Sequence, residues 1–357
     1  MSDYKDYSDY LSKLENSVKD EKKQTATIKK LPTSKPRRRL NPKAVFVLLC
    51  IVLAVVIIVA VVTTPDSLPS IKGDSPVSSV KSEPKKEEVN PLAKRTDKTV
   101  TIGDDINSKA VVFIDTKTYT IVAAKNENLR CYPASTTKIM TLLLAVENLK
   151  DLDATFKMTY EITDPLWDAE ATVAGFLSSE IITVKDMLYG TILPSGGDAS
   201  IGLAQMVAGS EEEFVKLMNK KAKALGLENT NFTNCTGLYN KNHYTTPQDL
   251  AVILKEAMKN ELCRKILTTE KFTSSKTPQH PEGIEMHSTL FNYMYGNEPE
   301  TAVIEGGKTG YVGQSGYCIA TFGKSNSGNE YICVALNAEA RWPAVYDQFN
   351  LYKAYAK

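Results

Sequence analysis

Tyr132-Pro133-Ala134-Ser135-Thr136-Thr137-Lys138 runs directly into an apolar stretch carrying Ile139, Met140, Leu142, Leu143, Leu144 and Val146. Side chains three apart on a helix share a face, so Ser135 and Lys138 come within hydrogen-bond reach. A lysine in the first turn sits at the positive end of the helix dipole, and burial favours its neutral amine. A neutral amine is a competent general base for a serine hydroxyl, so the pair is a self-contained acylation device. Lys308-Thr309-Gly310 follows far downstream, where a strand edge would hold a carboxylate. Between them lies Leu193-Pro194-Ser195-Gly196-Gly197-Asp198, where this chemistry expects a second serine.

Each element alone is weak. Ser2/Lys5, Ser78/Lys81 and Ser82/Lys85 share the serine–lysine spacing but sit in polar or Pro-rich segments with no helix to orient them. Ser327-Gly328-Asn329 reads like a middle element but falls after Lys308, in a polar turn. All four are rejected. The ordered set around Ser135 is retained, and Lys308 is expected to push the Lys138 amine further toward neutrality.

Composition divides the 357-residue chain unevenly. Residues 1–43 carry twelve Lys or Arg against six Asp or Glu, while the whole chain is only +1. This tail reads as a disordered basic cytoplasmic segment. The remainder is net acidic, and no nucleic-acid partner is expected. Residues 44–64 contain the uncharged run Ala44 to Val62, long enough to cross a bilayer, with Arg37, Arg38, Arg39 and Lys43 just before it. The positive-inside rule then places the C-terminal bulk outside. An uncleaved signal anchor is read in preference to a cleaved signal peptide, since bulky Val61 and Val62 follow where small residues would mark a cleavage site. Residues 65–98, with Pro65, Pro69, Pro76, Pro84 and Pro91, read as an extended linker, and 99–357 as one catalytic domain.

Beyond Cys50, the cysteines are Cys131, Cys235, Cys263, Cys318 and Cys333, an odd number that implies no complete disulfide framework. Cys318 and Cys333 fall on neighbouring strands, but buried free thiols are the expected state. No metal is expected, because there is no Cys-x-x-Cys and His243, His280 and His287 are scattered.

Residues 110–115 and 120–124 read as a hairpin, followed by the Ser135 helix. Helices are expected over 183–193, 199–207, 211–225 and 247–259, then strands over 303–309, 316–322 and 331–336. A terminal helix carries Trp342, Tyr346, Phe349 and Tyr352, expected to face the core. This order predicts an α+β fold: an antiparallel five-stranded sheet built from both ends of the domain and flanked by helices, with a helical insertion.

At this level the chain resembles the serine D-alanyl-D-alanine carboxypeptidases, low-molecular-mass penicillin-binding proteins. Asn234-Cys235-Thr236-Gly237-Leu238, then His243-Tyr244-Thr245-Thr246-Pro247-Gln248-Asp249-Leu250-Ala251, and Gly316-Tyr317-Cys318 are similar to that family's stretches. The resemblance implies a penicillin-binding/β-lactamase-like fold. It also implies Ser135 as nucleophile, Lys138 as base, and Ser195 as proton relay. Lys308, Thr309 and Gly310 would be substrate-binding, and the Ser135 and Tyr311 backbone N–H groups would form an oxyanion hole. The implied substrate is the peptidoglycan stem peptide ending in D-Ala-D-Ala. β-Lactams would be covalent inhibitors, no cofactor would be needed, and the site would lie on the wall side of the cell membrane.

One departure is plain: Gly197 stands where the family usually has Asn. A glycine cannot donate to a substrate carbonyl or steady Lys138. Two alternatives therefore stay open. A β-lactamase would need a deacylating Glu in a Glu-x-x-Leu-Asn signature, which is not found. A weakly active peptidoglycan-binding protein would follow if Gly197 cripples acylation. His243 is read as a loop stabiliser.

Overall fold

The computed structural model describes residues 91–294 and 299–357, all within the compact unit Lys85–Lys357. The basic tail, the anchor and the linker up to residue 90 lie outside the described residues. Among the described residues no helix is long and apolar enough to cross a membrane.

The chain begins with β1 (Val100–Thr101), β2 (Ala110–Asp115) and β3 (Thr120–Lys125), then a 3-10 turn (Ala134–Thr137) that feeds α1 (Lys138–Asn148). A helical block follows: β4 (Thr155–Lys157), α2 (Tyr160–Asp168), β5 (Ile181–Thr183), α3 (Val184–Ile192), α4 (Gly197–Ala208), α5 (Glu211–Ala224), α6 (Pro247–Met258) and α7 (Glu261–Leu267). Next come β6 (Lys271–Thr273), β7 (Glu285–His287) and the short α8 (Thr289–Met294). The chain then returns to the sheet with β8 (Ala302–Val312), β9 (Gly316–Ser325) and β10 (Glu330–Ala338), and closes with α9 (Arg341–Tyr355).

The main sheet has six strands in the order β1-β3-β2-β10-β9-β8, not five. The five expected strands pair antiparallel, and β1 adds a parallel edge through Val100↔Ala123 and Thr101↔Ala124. Two exposed residues give no alternation to read, so nothing in the sequence marked β1. Packing against this edge starts before Thr99. Ala93 is buried, Lys94 bridges Thr120, and Arg95 pairs with Glu127 at 2.6 Å.

Strand side chains alternate faces, and both faces here are covered. Val112, Ile114, Cys318, Ala320, Ile332 and Val334 face the helical block. Val111, Phe113, Ile319, Cys333 and Ala335 face α9 and α8. Cys318 and Cys333 therefore lie in different cores, and both thiols are free and buried. On α9, Phe349 and Tyr352 are buried, with Tyr352 edge-on to Phe113 at 5.1 Å. Trp342 and Tyr346 are each 50% exposed, which corrects the core-facing expectation for those two. They sit in the first turns of α9, where the helix has one covered side.

α1 is buried continuously from Lys138 to Val146, as expected of a helix apolar on every side. The two ends of α3 are set locally. Thr183 and Asp186 form a capping box at its start, and Pro194 forbids continuation beyond Leu193. The chain leaves α3 through Ser195, which adopts a left-handed φ of 70°.

Candidate active site

Ser135 is carried by the 3-10 turn and Lys138 opens α1, so the two meet across one helical turn. Lys138 Nζ lies 3.1 Å from Ser135 Oγ and donates to the Thr236 carbonyl at 2.6 Å. That carbonyl is aimed by Asn234. Its Oδ1 accepts from the Thr236 and Gly237 N–H groups, and its Nδ2 donates to Leu238 O. Gly237 is required at the bottom of this turn. Its φ is +87°, and a Cβ there would lie 2.0 Å from the Ala134 carbonyl oxygen. On the other side, a Cβ at Gly310 would lie 2.7 Å from Ser135 N, so β8 brings bare backbone against the serine turn. His243 braces the same turn. Its Nδ1 accepts the Thr233 N–H at 3.1 Å, which leaves Nε2–H to donate to Thr137 Oγ1 at 2.8 Å. Burial, with the Lys138 charge second, lowers its pKa to about 4, so the imidazole is neutral.

A second serine–lysine pair faces the first. Lys308 Nζ is 2.9 Å from Ser195 Oγ and donates to Thr309 O at 2.9 Å. Thr309 Oγ1 in turn bonds Thr289 Oγ1 at 2.7 Å. Burial lowers the Lys138 pKa to about 8, against smaller opposing effects of Cys235, Asp198 and Glu211. Lys308 is pushed well below the ordinary lysine range, by burial first and by Lys138 second. The repulsion between the two amines is mutual and favours the neutral form of each.

Ser135, Ser195, Thr309, Gly310 and Tyr311 line one cleft of about 260 Å³. An adjoining cleft of about 470 Å³ is lined by Ser135, Lys138, Gly197, Thr236, Gly237 and Tyr311. The expected positions Lys138, Ser195, Thr309, Gly310 and Tyr311 are therefore gathered around Ser135, and Lys308 joins them through its bond to Ser195. Several lining residues were not expected: Thr172, Thr289, Tyr293, Tyr317 and Arg341. The Arg341 guanidinium stands 5.0 Å over the Tyr293 ring, and Tyr311 stacks on Tyr317 at 4.3 Å. Nothing distinguished Arg341 in the sequence from any charged residue at a helix start. Among the described residues, no group of three or more His, Cys, Asp or Glu side chains converges as a metal site needs.

Residues 95–340 match the family profile described as D-alanyl-D-alanine carboxypeptidase. The chain is 38% identical over 226 residues to the D-alanyl-D-alanine carboxypeptidase DacF of Bacillus subtilis, covering 62% of this chain and 55% of that one. It is 33% identical over 227 residues to the D-alanyl-D-alanine carboxypeptidase of Streptomyces sp. strain K15, covering 61% and 77%. It therefore spans little more than half the length of the DacF relative. Among solved structures, the Streptomyces K15 DD-transpeptidase superposes with a TM-score of 0.62 at 28% identity, covering 68% of this chain and 94% of that one. Penicillin-binding protein 5 from Haemophilus influenzae superposes with a TM-score of 0.61 at 25% identity, covering 69% and 70%.

Proposed function

The chain belongs to the D-alanyl-D-alanine carboxypeptidase family, and from that premise we propose that it removes the terminal D-alanine from peptidoglycan stem pentapeptides through an acyl-enzyme on Ser135. The observation that carries this reading is the buried Lys138 amine, 3.1 Å from the Ser135 hydroxyl with a pKa lowered to about 8. The neutral amine takes the hydroxyl proton as Oγ attacks the carbonyl of the penultimate residue. The developing oxyanion is received by the Ser135 and Tyr311 N–H groups, and losing one such donor costs about 3 kcal/mol of transition-state stabilisation. The proton held by Lys138 is relayed through Ser195, bonded to Lys308, to the departing D-alanine amine, which leaves Lys138 neutral and Ser195 protonated again. Lys308 and the Thr309 hydroxyl meet the terminal carboxylate, and Arg341 adds a cation to the cleft lining. Water then resolves the ester.

β-Lactams, which mimic the acyl-D-Ala-D-Ala unit, would acylate the same serine. The uncharged run within residues 44–64, behind Arg37 to Lys43, supports a single-pass anchor. It would leave residues 1–43 in the cytoplasm, and the linker would hold the catalytic domain on the wall side.

Fluorescent penicillin should label the folded protein, the modified peptide should map to Ser135, and free D-alanine should appear from pentapeptide. Ser135→Ala should abolish both signals. Labelling that survives Ser135→Ala would defeat the reading. The variant Gly197 favours one rival, a poorly active peptidoglycan binder, which would be singled out if fluorescent penicillin failed to label Ser135 in the folded protein.

A further inference from the structure

Position 197 has no side chain, yet the space beside it is not vacant. A Cβ built there would lie 3.0 Å from Leu166 Cδ2 and 3.3 Å from the Thr172 carbonyl oxygen. The Gly197 N–H donates to that same carbonyl at 2.8 Å. The segment 169–177, between α2 and β5, therefore lies directly over the place where a longer side chain would project.

Asp198 holds it there. Its buried carboxylate accepts the N–H groups of Ala174 at 2.7 Å, Gly175 at 3.1 Å and Phe176 at 3.1 Å, successive donors forming an anion nest. Gly196 makes the approach sterically feasible, since a Cβ there would stand 2.7 Å from Ala174 N.

The segment delivers two polar residues to the site, Glu170 to the 470 Å³ cleft alone and Thr172 to both clefts. Only Ser135, Thr172 and Tyr311 line both the 260 Å³ and the 470 Å³ clefts. Thr172 is exposed, and its hydroxyl has no hydrogen-bond partner among the described residues. A free donor beside the nucleophile and the candidate oxyanion strand is placed to bond an acyl group held between them.

We propose that Thr172, positioned by Asp198, is a substrate-binding residue whose hydroxyl donates to the carbonyl of the amide on the acyl side of the scissile bond, the contact that Gly197 cannot make. This rests on the acyl-serine reading above and names the group that orients its substrate.

The test compares rates of Ser135 acylation by benzylpenicillin, which carries an acyl-side amide, and by 6-aminopenicillanic acid, which carries an amine there. In Thr172→Val the benzylpenicillin rate falls about tenfold, the size of one lost hydrogen bond to substrate. The 6-aminopenicillanic acid rate stays within about twofold of the parent, because the partner carbonyl is missing. Thr172→Ser restores the benzylpenicillin rate. Equal rates in parent and Thr172→Val would overturn the proposal, as would equal losses toward both compounds, which would mark a disturbed segment. If the parent protein takes no label on Ser135, the acyl-serine reading itself fails, and this inference with it.

Discussion

The two halves of the cleft are built by opposite means. On the Ser135 side, position is fixed by backbone pressed against backbone, Gly237 under Ala134 and Gly310 against Ser135 N, and by the Thr236 carbonyl on the Lys138 amine. Each contact is too short to admit another atom. On the Ser195 side, position is fixed by one buried carboxylate, Asp198, gathering the N–H groups of a segment that covers Gly197. The nearest neighbour of a new Cβ there is a leucine methyl, which can move. The first half has no tolerance, and the second is closed over a position that carries no side chain. A difference of this kind predicts where substitution stops the protein and where it merely tunes it.

The largest effect is expected at Lys138. Replacing a general base costs about a hundredfold to ten-thousandfold, so Lys138→Met should reduce penicillin acylation within that range. The pH profile reports the same group in the intact protein. With its pKa lowered to about 8, the amine is protonated below that value and cannot accept the serine proton. Acylation should therefore rise about tenfold per pH unit up to pH 8 and level off above it. Asp198 opposes the lowering, so Asp198→Asn removes a stabilising negative charge and should move the midpoint to lower pH. A midpoint above that of the parent would show that the two halves are not electrostatically linked in this sense.

Next is Gly237. An L-residue at a left-handed φ costs about 1–2 kcal/mol from backbone sterics alone. Gly209 supplies that cost by itself, with φ +80° and nothing within 4 Å of a built Cβ. Gly237→Ala adds a collision with the Ala134 carbonyl at 2.0 Å and should cost at least about 2 kcal/mol more than Gly209→Ala. Denaturant midpoints of the two variants measure the difference directly, and Ser135 labelling should be lost in Gly237→Ala. Equal midpoints would show that the serine turn yields after all.

This asymmetry also explains what the sequence disclosed. The rigid half was legible because its parts are short and ordered: Ser135 to Lys138, Asn234 to Leu238, Lys308 to Gly310. Long, regularly patterned elements were equally plain, including α3, α5, α6 and the three C-terminal strands. The second half was legible only through Ser195 and as an absence at Gly197. Its working parts are a threonine in an irregular segment and an aspartate whose partners are backbone amides twenty-odd residues upstream, and neither has a pattern of its own. α2 went unread because Pro165 and several acids interrupt an apolar period that only Ile162 and Leu166 complete. Arg341 reaches the cleft only because the sheet brings the start of α9 beside β8 and β9. That neighbourhood is tertiary.

The smallest effect should come from filling Gly197. The position is the first of α4 with no left-handed φ, so alanine there gains helix propensity of a few tenths of a kcal/mol up to about 1. Against this stands a contact 3.0 Å from Leu166 Cδ2, the free end of a side chain that can rotate away. The two terms nearly cancel, and Gly197→Ala should change stability by less than about 1 kcal/mol in either direction. The second contact, 3.3 Å from the Thr172 carbonyl, is different, because that oxygen belongs to the segment held by Asp198. If the segment shifts to make room, Thr172 shifts with it. Benzylpenicillin acylation in Gly197→Ala should then fall by no more than a few-fold, and a Leu166→Ala background, which opens the first contact, should not reverse the loss. Full recovery in that background would place the sensitivity of this half in α2 and take it away from the covering segment.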